Sequence, residues 1–344
     1  MSFNPDAVKV GPTDALAPAE MAHKAEDVGA RKANTDTASM LVLAILAGAF
    51  IALGAVFALT VTAGSFTVSG PDGVVLAKVA LPFGLNRLVG GIAFSLGLIL
   101  VVVAGAELFT GNILLVIAWA SQRVSTRAVL GNWGLVYAGN FVGAVATVGL
   151  VIVAGWYMAG NGAVGLGALN TAEAKVHHTF LEALAAGTLC NALVCLAVWL
   201  TYSARTTTDR VLAIVPPIAA FVAAGFEHSI ANMFFLPVAI VIRMVAPPEF
   251  WLQTGTTAEA YADVNVGSFL ANLVPVTIGN IIGGAVIVAG VYWFVYLRRT
   301  PDGQPMRSPF RRTLSPLDPI HQVRVAAEDP LGPGASREDP TGSA

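Results

Sequence analysis

Apolar runs separated by short polar stretches set the rhythm of this chain. Six of them are long enough to cross a bilayer as helices, which takes about 20 residues: 38–66, 88–121, a stretch within 128–160, 178–204, 211–242 and 264–297. The alternation expected of strands is missing from the long runs, which argues against an outer-membrane barrel. Runs two and five are each interrupted near their middle by a polar cluster, so both are expected to be broken helices. Pro82, Pro237, Pro247 and Pro248 are expected at helix or loop ends, whereas Pro216, Pro217 and Pro275 lie inside runs and should kink them. Within the N-terminal segment 1–37, residues 17–33 have the pattern of an amphipathic helix on the membrane surface. The tail, residues 300–344, holds eight prolines and five arginines with few large apolar groups, and is expected to be disordered.

Hydrophobic residues make up 56% of the chain and charged ones 12%, about half the charge of a soluble domain. The expected fold is an all-α membrane protein with six transmembrane helices in residues 38–299. The net charge of −2 carries little meaning, because the charges are sorted by loop. With both tails on the cytoplasmic side, 15 of the 19 lysines and arginines lie on inner segments, and only Lys78, Arg87, Lys175 and Arg243 lie on outer ones. That asymmetry puts both termini in the cytoplasm. No cleavable signal is read in the polar first 37 residues, so the first span would be its own insertion signal. Cys190 and Cys195 sit five apart on one expected helix and point to different faces, as small core packers do.

Candidate chemistry concentrates in Gly225-Phe226-Glu227-His228-Ser229-Ile230-Ala231-Asn232. Glu227 and His228 are the only ionisable groups in the 32 residues of run five. Groups of that kind at membrane depth are costly, and by default they line a cavity or path. For Glu227 an ion pair or a capping role is at least as good a reading; for His228 the functional one is stronger. Gly105-Ala106-Glu107-Leu108-Phe109-Thr110-Gly111-Asn112 repeats the pattern Gly-x-Glu-x-x-x-x-Asn 120 residues earlier. Runs three and six echo each other too, with Asn132 and Gly139-Asn140 matching Asn272 and Gly279-Asn280. Two echoes in the same order indicate a duplication. Three spans per half make the second half inverted relative to the first, with the path at their interface. Glu107 and Glu227 are read as structural anchors of the two breaks, accepting hydrogen bonds from exposed amides of the helix starts. His228 has no counterpart, because Leu108 takes its place.

These stretches closely resemble the formate/nitrite transporter family over residues 17–299. The resemblance rests on Glu107-Leu108-Phe109-Thr110, on Phe226 to Met233, and on Pro275-Val276-Thr277-Ile278-Gly279-Asn280 with the following Ile-Ile-Gly-Gly. Lys175-Val176-His177-His178-Thr179-Phe180 and Cys195-Leu196-Ala197-Val198-Trp199 are most similar to the FocA-type formate channels within it. The resemblance implies an aquaporin-like, six-span protomer in a homopentamer of the bacterial inner membrane, with one pore in each protomer. It implies that His228 is the pore histidine, that Thr110 sits on a mobile loop in broken span two, and that Asn280 faces the histidine. Phe94, Leu98, Leu108, Phe109, Val194 and Phe221 fall where the family builds apolar constrictions, and Lys175 where formate channels place a basic vestibule residue. Gly111-Asn112 after Thr110 departs from the Ser-Thr of such channels, and the tail has no family counterpart.

An apolar constriction opposes a bare charge by several kcal/mol, while a neutral acid of the same size crosses. A proton shared between His228 and an entering carboxylate would neutralise it, and histidine titrates near physiological pH. The expected function is pH-dependent, proton-linked passage of formate, with nitrite or hydrosulfide as alternatives. A membrane-embedded enzyme using Glu107, Glu227 and His228 is the rival class, but no nucleophile motif supports it. A neutral-solute channel would need Asn-Pro-Ala signatures, which are absent. His177 and His178 beside Glu182 do not make a metal site, because adjacent histidines diverge on a helix. No cofactor, metal or nucleic-acid partner is expected.

Overall fold

A computed structural model of the chain describes residues 15–299 except Gly73. The expected disorder of the tail concerns residues that lie outside the described ones. Among the described residues, six helices are long and apolar enough to cross a membrane: Thr37–Thr62, Phe83–Ala104, Thr126–Val153, Phe180–Ser203, Thr207–Ala224 and Glu259–Leu297. The chain is therefore a multi-pass membrane protein, with spans close to the six runs expected.

The first element, α1 (Pro18–Ala33), starts with proline at its first position, and Glu20 reaches back to the Ala17 amide at 2.7 Å. It buries Met21, Ala22, Ala25 and Gly29 along one face, which packs on later helices. Lys24 donates to the Tyr202 carbonyl at 2.6 Å. Burial, and then the charges of Arg205, Arg210 and Arg31, hold its ammonium below the usual lysine range. Asp36 caps α2 (Thr37–Thr62) by accepting the Ser39 amide at 2.9 Å. An antiparallel hairpin follows, β1 (Phe66–Ser69) with β2 (Val75–Val79), pairing Phe66 with Val79. This hairpin is an addition to the all-helical expectation.

Span two begins with α3 (Phe83–Ala104). It stops at Gly105, whose φ of +81° lies in the left-handed region that favours glycine. After a gap the chain makes the short α4 (Phe109–Asn112) and α5 (Leu115–Ala120). The third span, α6 (Thr126–Val153), leads to α7 (Ala163–Val176). The fourth span, α8 (Phe180–Ser203), opens on a capping box between Thr179 and Glu182. Span five repeats the break: α9 (Thr207–Ala224) ends at Gly225, φ +76°, and α10 (Ser229–Val245) starts after the gap. Pro237 lies inside α10 and not at an end as expected. Next come α11 (Pro248–Thr254), bent 113° from α10, and α12 (Val266–Ile282), which continues in wide π-type turns to Leu297.

The halves repeat each other in packing. Gly143 of α6 lies against the Ile45 carbonyl of α2, and Gly283 after α12 lies against the Thr188 carbonyl of α8. A Cβ at either glycine would collide with those backbones, so the spans cross closer than any larger residue permits. The positions correspond: Gly143 and Gly283 are 140 apart, Ile45 and Thr188 are 143 apart.

Candidate functional site: a path between two cavities

The breaks are held by two asparagines. Asn140 of α6 accepts the Phe109 amide at 2.9 Å and donates to the carbonyls of Ala44 (2.7 Å) and Glu107 (2.9 Å). Asn280 of α12 accepts the Ser229 amide at 2.9 Å and donates to the carbonyls of Gly187 (2.8 Å) and Glu227 (2.9 Å). One amide thus satisfies the first helical N–H after each gap and the carbonyl before it, backbone groups that hydrocarbon leaves unpaired. Asn280 spends its amide on the backbone to either side of His228, the residue it is expected to face. Here the structure corrects one expectation. The helix-start amides go to these asparagines and not to the glutamates.

Glu107 and Glu227 do sit at the breaks, buried, but their carboxylates take other donors. Asn112 and Lys32 donate to Glu107 Oε2 at 2.7 and 2.8 Å. Asn232 donates to Glu227 Oε2 at 2.6 Å, and Lys175 donates to Oε1 at 2.7 Å. Behind these, Asn112 and Asn232 also donate to Asn132 (3.0 Å) and Asn272 (2.8 Å). Lys32 and Lys175 are therefore equivalents, 143 residues apart, on α1 and α7. Lys175 lies in the last turn of α7. Lys32 was missed as a site residue. Its neighbours Gly-Ala-Arg-Lys-Ala share little with Glu-Ala-Lys-Val, and only the 143-residue offset could have found it.

His228 closes the start of α10, its Nδ1 accepting the Ala231 amide at 3.1 Å. With that lone pair in use, the neutral ring carries its proton on Nε2, which donates to Thr110 Oγ1 at 3.0 Å. The hydroxyl keeps its own proton for a third group. Thr110 lies in α4 and not on a loop, and it is fully buried. Its carbonyl is held by Asn191 Nδ2 (3.3 Å) and Cys195 Sγ (3.4 Å). Ser229 Oγ and Asn191 Oδ1 are buried nearby with no partner among the described residues.

Cavities approach this pair from both sides. The larger, 580 Å³, is lined by Phe94, Phe221, His228, Glu227, Lys175 and Arg87 among others. The smaller, 210 Å³, is lined by Leu98, Leu108, Glu107, Asn112 and Lys32 among others. Phe94 meets Phe221 edge-on at 5.7 Å, and Phe221 lies nearly parallel to the His228 ring at 6.0 Å. Four of the six residues expected at constrictions thus face the cavities. Phe109 and Val194 line neither; Phe109 packs against Tyr137 at 4.9 Å and Trp133 at 6.3 Å.

One cluster of metal-ligand types stands among the described residues. Donor atoms of Glu173, His177 and Asp263 lie within 4.8 Å of one another, with His177 Nε2 already 2.8 Å from Glu173. It is separate from His178, which lies 3.8 Å from Glu227, and from Glu182, which caps α8.

The family model described as "Formate/nitrite transporter" matches residues 19–294. The chain is 50% identical over 288 residues to the formate channel FocA of Escherichia coli (strain K12), covering 83% of this chain and 96% of that one. It is 43% identical over 279 residues to the formate channel FocA of Haemophilus influenzae, covering 81% and 93%. Among solved structures, a pentameric formate channel with formate bound matches with a TM-score of 0.68 and 45% identity, over 76% of this chain and 98% of that one.

Proposed function

Since the chain belongs to the formate/nitrite transporter family, we propose that it carries formate across the bacterial inner membrane through one pore in each protomer of a homopentamer. It is a transporter and not an enzyme, as its relatives' names state. The observation that carries the reading is the buried Thr110–His228 contact between a cavity lined by Phe94 and Phe221 and another lined by Leu98 and Leu108.

The residues act in sequence. An anion in the larger vestibule meets the Phe94–Phe221 pair and sheds water, which a dry site makes costly for a charge. The Thr110 hydroxyl, already accepting from His228 Nε2, turns its own proton to the carboxylate. A second proton on the imidazole has only Nδ1 to go to, where it displaces the hydrogen bond from the Ala231 amide. The arriving negative charge offsets that loss by Coulomb attraction, so proton and anion enter together. Passed between Leu98 and Leu108, the substrate then reaches the Lys32–Glu107 vestibule.

The test is stopped-flow flux of formate, nitrite and hydrosulfide into liposomes carrying the purified chain, at pH 5.5 and 7.5. Formate flux above that of empty liposomes, greater at the lower pH, is expected; preference for nitrite or hydrosulfide would move the assignment within the family, and no flux would overturn it.

The orientation follows from the basic residues and puts both termini and the Lys32 vestibule on the cytoplasmic side, with Lys175 outside. A cysteine at Asn161 should then react with an impermeant thiol reagent on intact cells, and one at Ser125 should not. Both positions are exposed. The opposite labelling pattern would reverse the orientation.

A further inference from the structure

We infer that Arg87, and not Lys175, is the residue that captures the anion at the larger vestibule. The inference rests on the formate reading above. Of the cations lining the two cavities, Lys32 is matched by Glu107 at 2.8 Å and Lys175 by Glu227 at 2.7 Å. His178, when charged, also faces Glu227, at 3.8 Å. Each lysine–glutamate pair is close to neutral from a distance, so neither draws an anion from bulk water with a full charge.

Arg87 is different. It stands in the second turn of α3 beside Asn86, and both line the larger cavity. Its contact is the Phe83 ring, with Cζ 5.3 Å from the centroid, and no carboxylate lies within ion-pair distance among the described residues. The guanidinium reaches inward to the break: Nη2 lies 3.6 Å from where a Cβ on Gly225 would be, two residues before Glu227. Its N–H fork is planar, and a carboxylate can take two of those donors at once. Asn170 and Thr171 offer further polar groups on the same wall. The equivalent position in the other half, 120 residues on, is Thr207, which does not line the smaller cavity. The two vestibules therefore differ in charge: the larger has a surplus cation, and the smaller is balanced.

The consequence is a division of labour. Arg87 raises the local concentration of formate and holds it at the mouth. Lys175 holds the Glu227 carboxylate in place behind it.

Initial rates of formate uptake into proteoliposomes test this, measured over a range of concentrations for Arg87→Gln, Arg87→Glu and Arg87→Lys in low and high inert salt. At low ionic strength the half-saturating concentration should rise about fivefold in Arg87→Gln and about twentyfold in Arg87→Glu, the maximum rate staying within about twofold. Arg87→Lys should restore most of the wild-type value. The differences should shrink in salt, where screening acts within about 8 Å. Should Arg87→Gln and Arg87→Glu saturate at the wild-type concentration while wild type carries formate, the inference fails and the formate reading stands. A fall in maximum rate alone, unrescued by lysine, means a packing role on Phe83 and also overturns it. Absence of formate uptake by wild type removes the reading beneath it.

Discussion

His228→Asn is expected to yield a folded channel that still passes formate but has lost its pH response. Asparagine is among the strongest helix caps, and its Oδ1 can take the Ala231 amide that Nδ1 accepts now. The shorter amide does not reach the position of Nε2, so the Thr110 hydroxyl loses its imidazole donor. Nor can asparagine bind a proton near neutrality. In wild type, lowering the outer pH supplies protons to the imidazole–formate pair, so uptake should climb by about tenfold from pH 7.5 to 5.5; in the asparagine variant it should change by less than about twofold. Leak through lipid needs subtraction, because formic acid, about as acidic as an aspartate side chain, gains roughly tenfold in neutral fraction with each unit of pH lost. His228→Phe should abolish flux. It removes the cap, worth about 1 kcal/mol, strands the Thr110 hydroxyl, and adds a ring against Phe221. If His228→Ala keeps wild-type flux with an unchanged pH profile, the proton-linked mechanism is wrong.

The second large effect concerns the two buried ion pairs. Lys175→Met leaves the Glu227 carboxylate without its nearest cation, at a side-chain exposure of 3% against 10% for Glu107. Removing one partner of a buried pair costs about 3–5 kcal/mol. The same change at Lys32, itself 29% exposed against 12% for Lys175, should cost about half as much, because water reaches that end more easily. Thermal unfolding of the detergent-solubilised oligomer should therefore fall much further for Lys175→Met than for Lys32→Met. The double change Lys175→Met with Glu227→Gln should recover most of the loss, as it removes the orphaned charge. Equal losses at the two lysines would mean that burial does not set the cost.

Much of this architecture was legible in the sequence because lipid imposes simple rules. A run without charges must be a helix, and a carboxylate with an imidazole inside such a run must have work or a partner. The spans and both breaks followed. Partnerships across the fold were not legible. That Lys32 reaches Glu107 depends on where α1 lands, and a single lysine in an amphipathic helix looks like any solvated charge. The resemblance alone points Phe109 and Val194 at constrictions, and only packing against Tyr137 and Trp133 reveals where the Phe109 ring goes. A proline in a sequence usually marks a helix end, yet α10 accommodates Pro237 in its interior. The hairpin was readable in principle: Phe66-Thr67-Val68 and Val74-Val75-Leu76 flank Gly70-Pro71-Asp72-Gly73, a turn signal.

The asparagine at each gap also limits how fast and how far the path can change shape. Pulling the start of α10 away from α12 would sever two buried hydrogen bonds of Asn280 together, those with Ser229 and Glu227, and the same holds at the start of α4 for Asn140 with Phe109 and Glu107. At about 1 kcal/mol net apiece, such an opening would be occupied only about a few per cent of the time. The joints are stiff where chain breaks elsewhere serve as hinges. What can move cheaply is the Thr110 hydroxyl rotor and the rings of Phe94 and Phe221. Side chains of that kind turn over in picoseconds to nanoseconds when unhindered, against microseconds to milliseconds for rocking domains. Passage through this protein should then be paced by the arrival of substrate and proton, with the scaffold standing still.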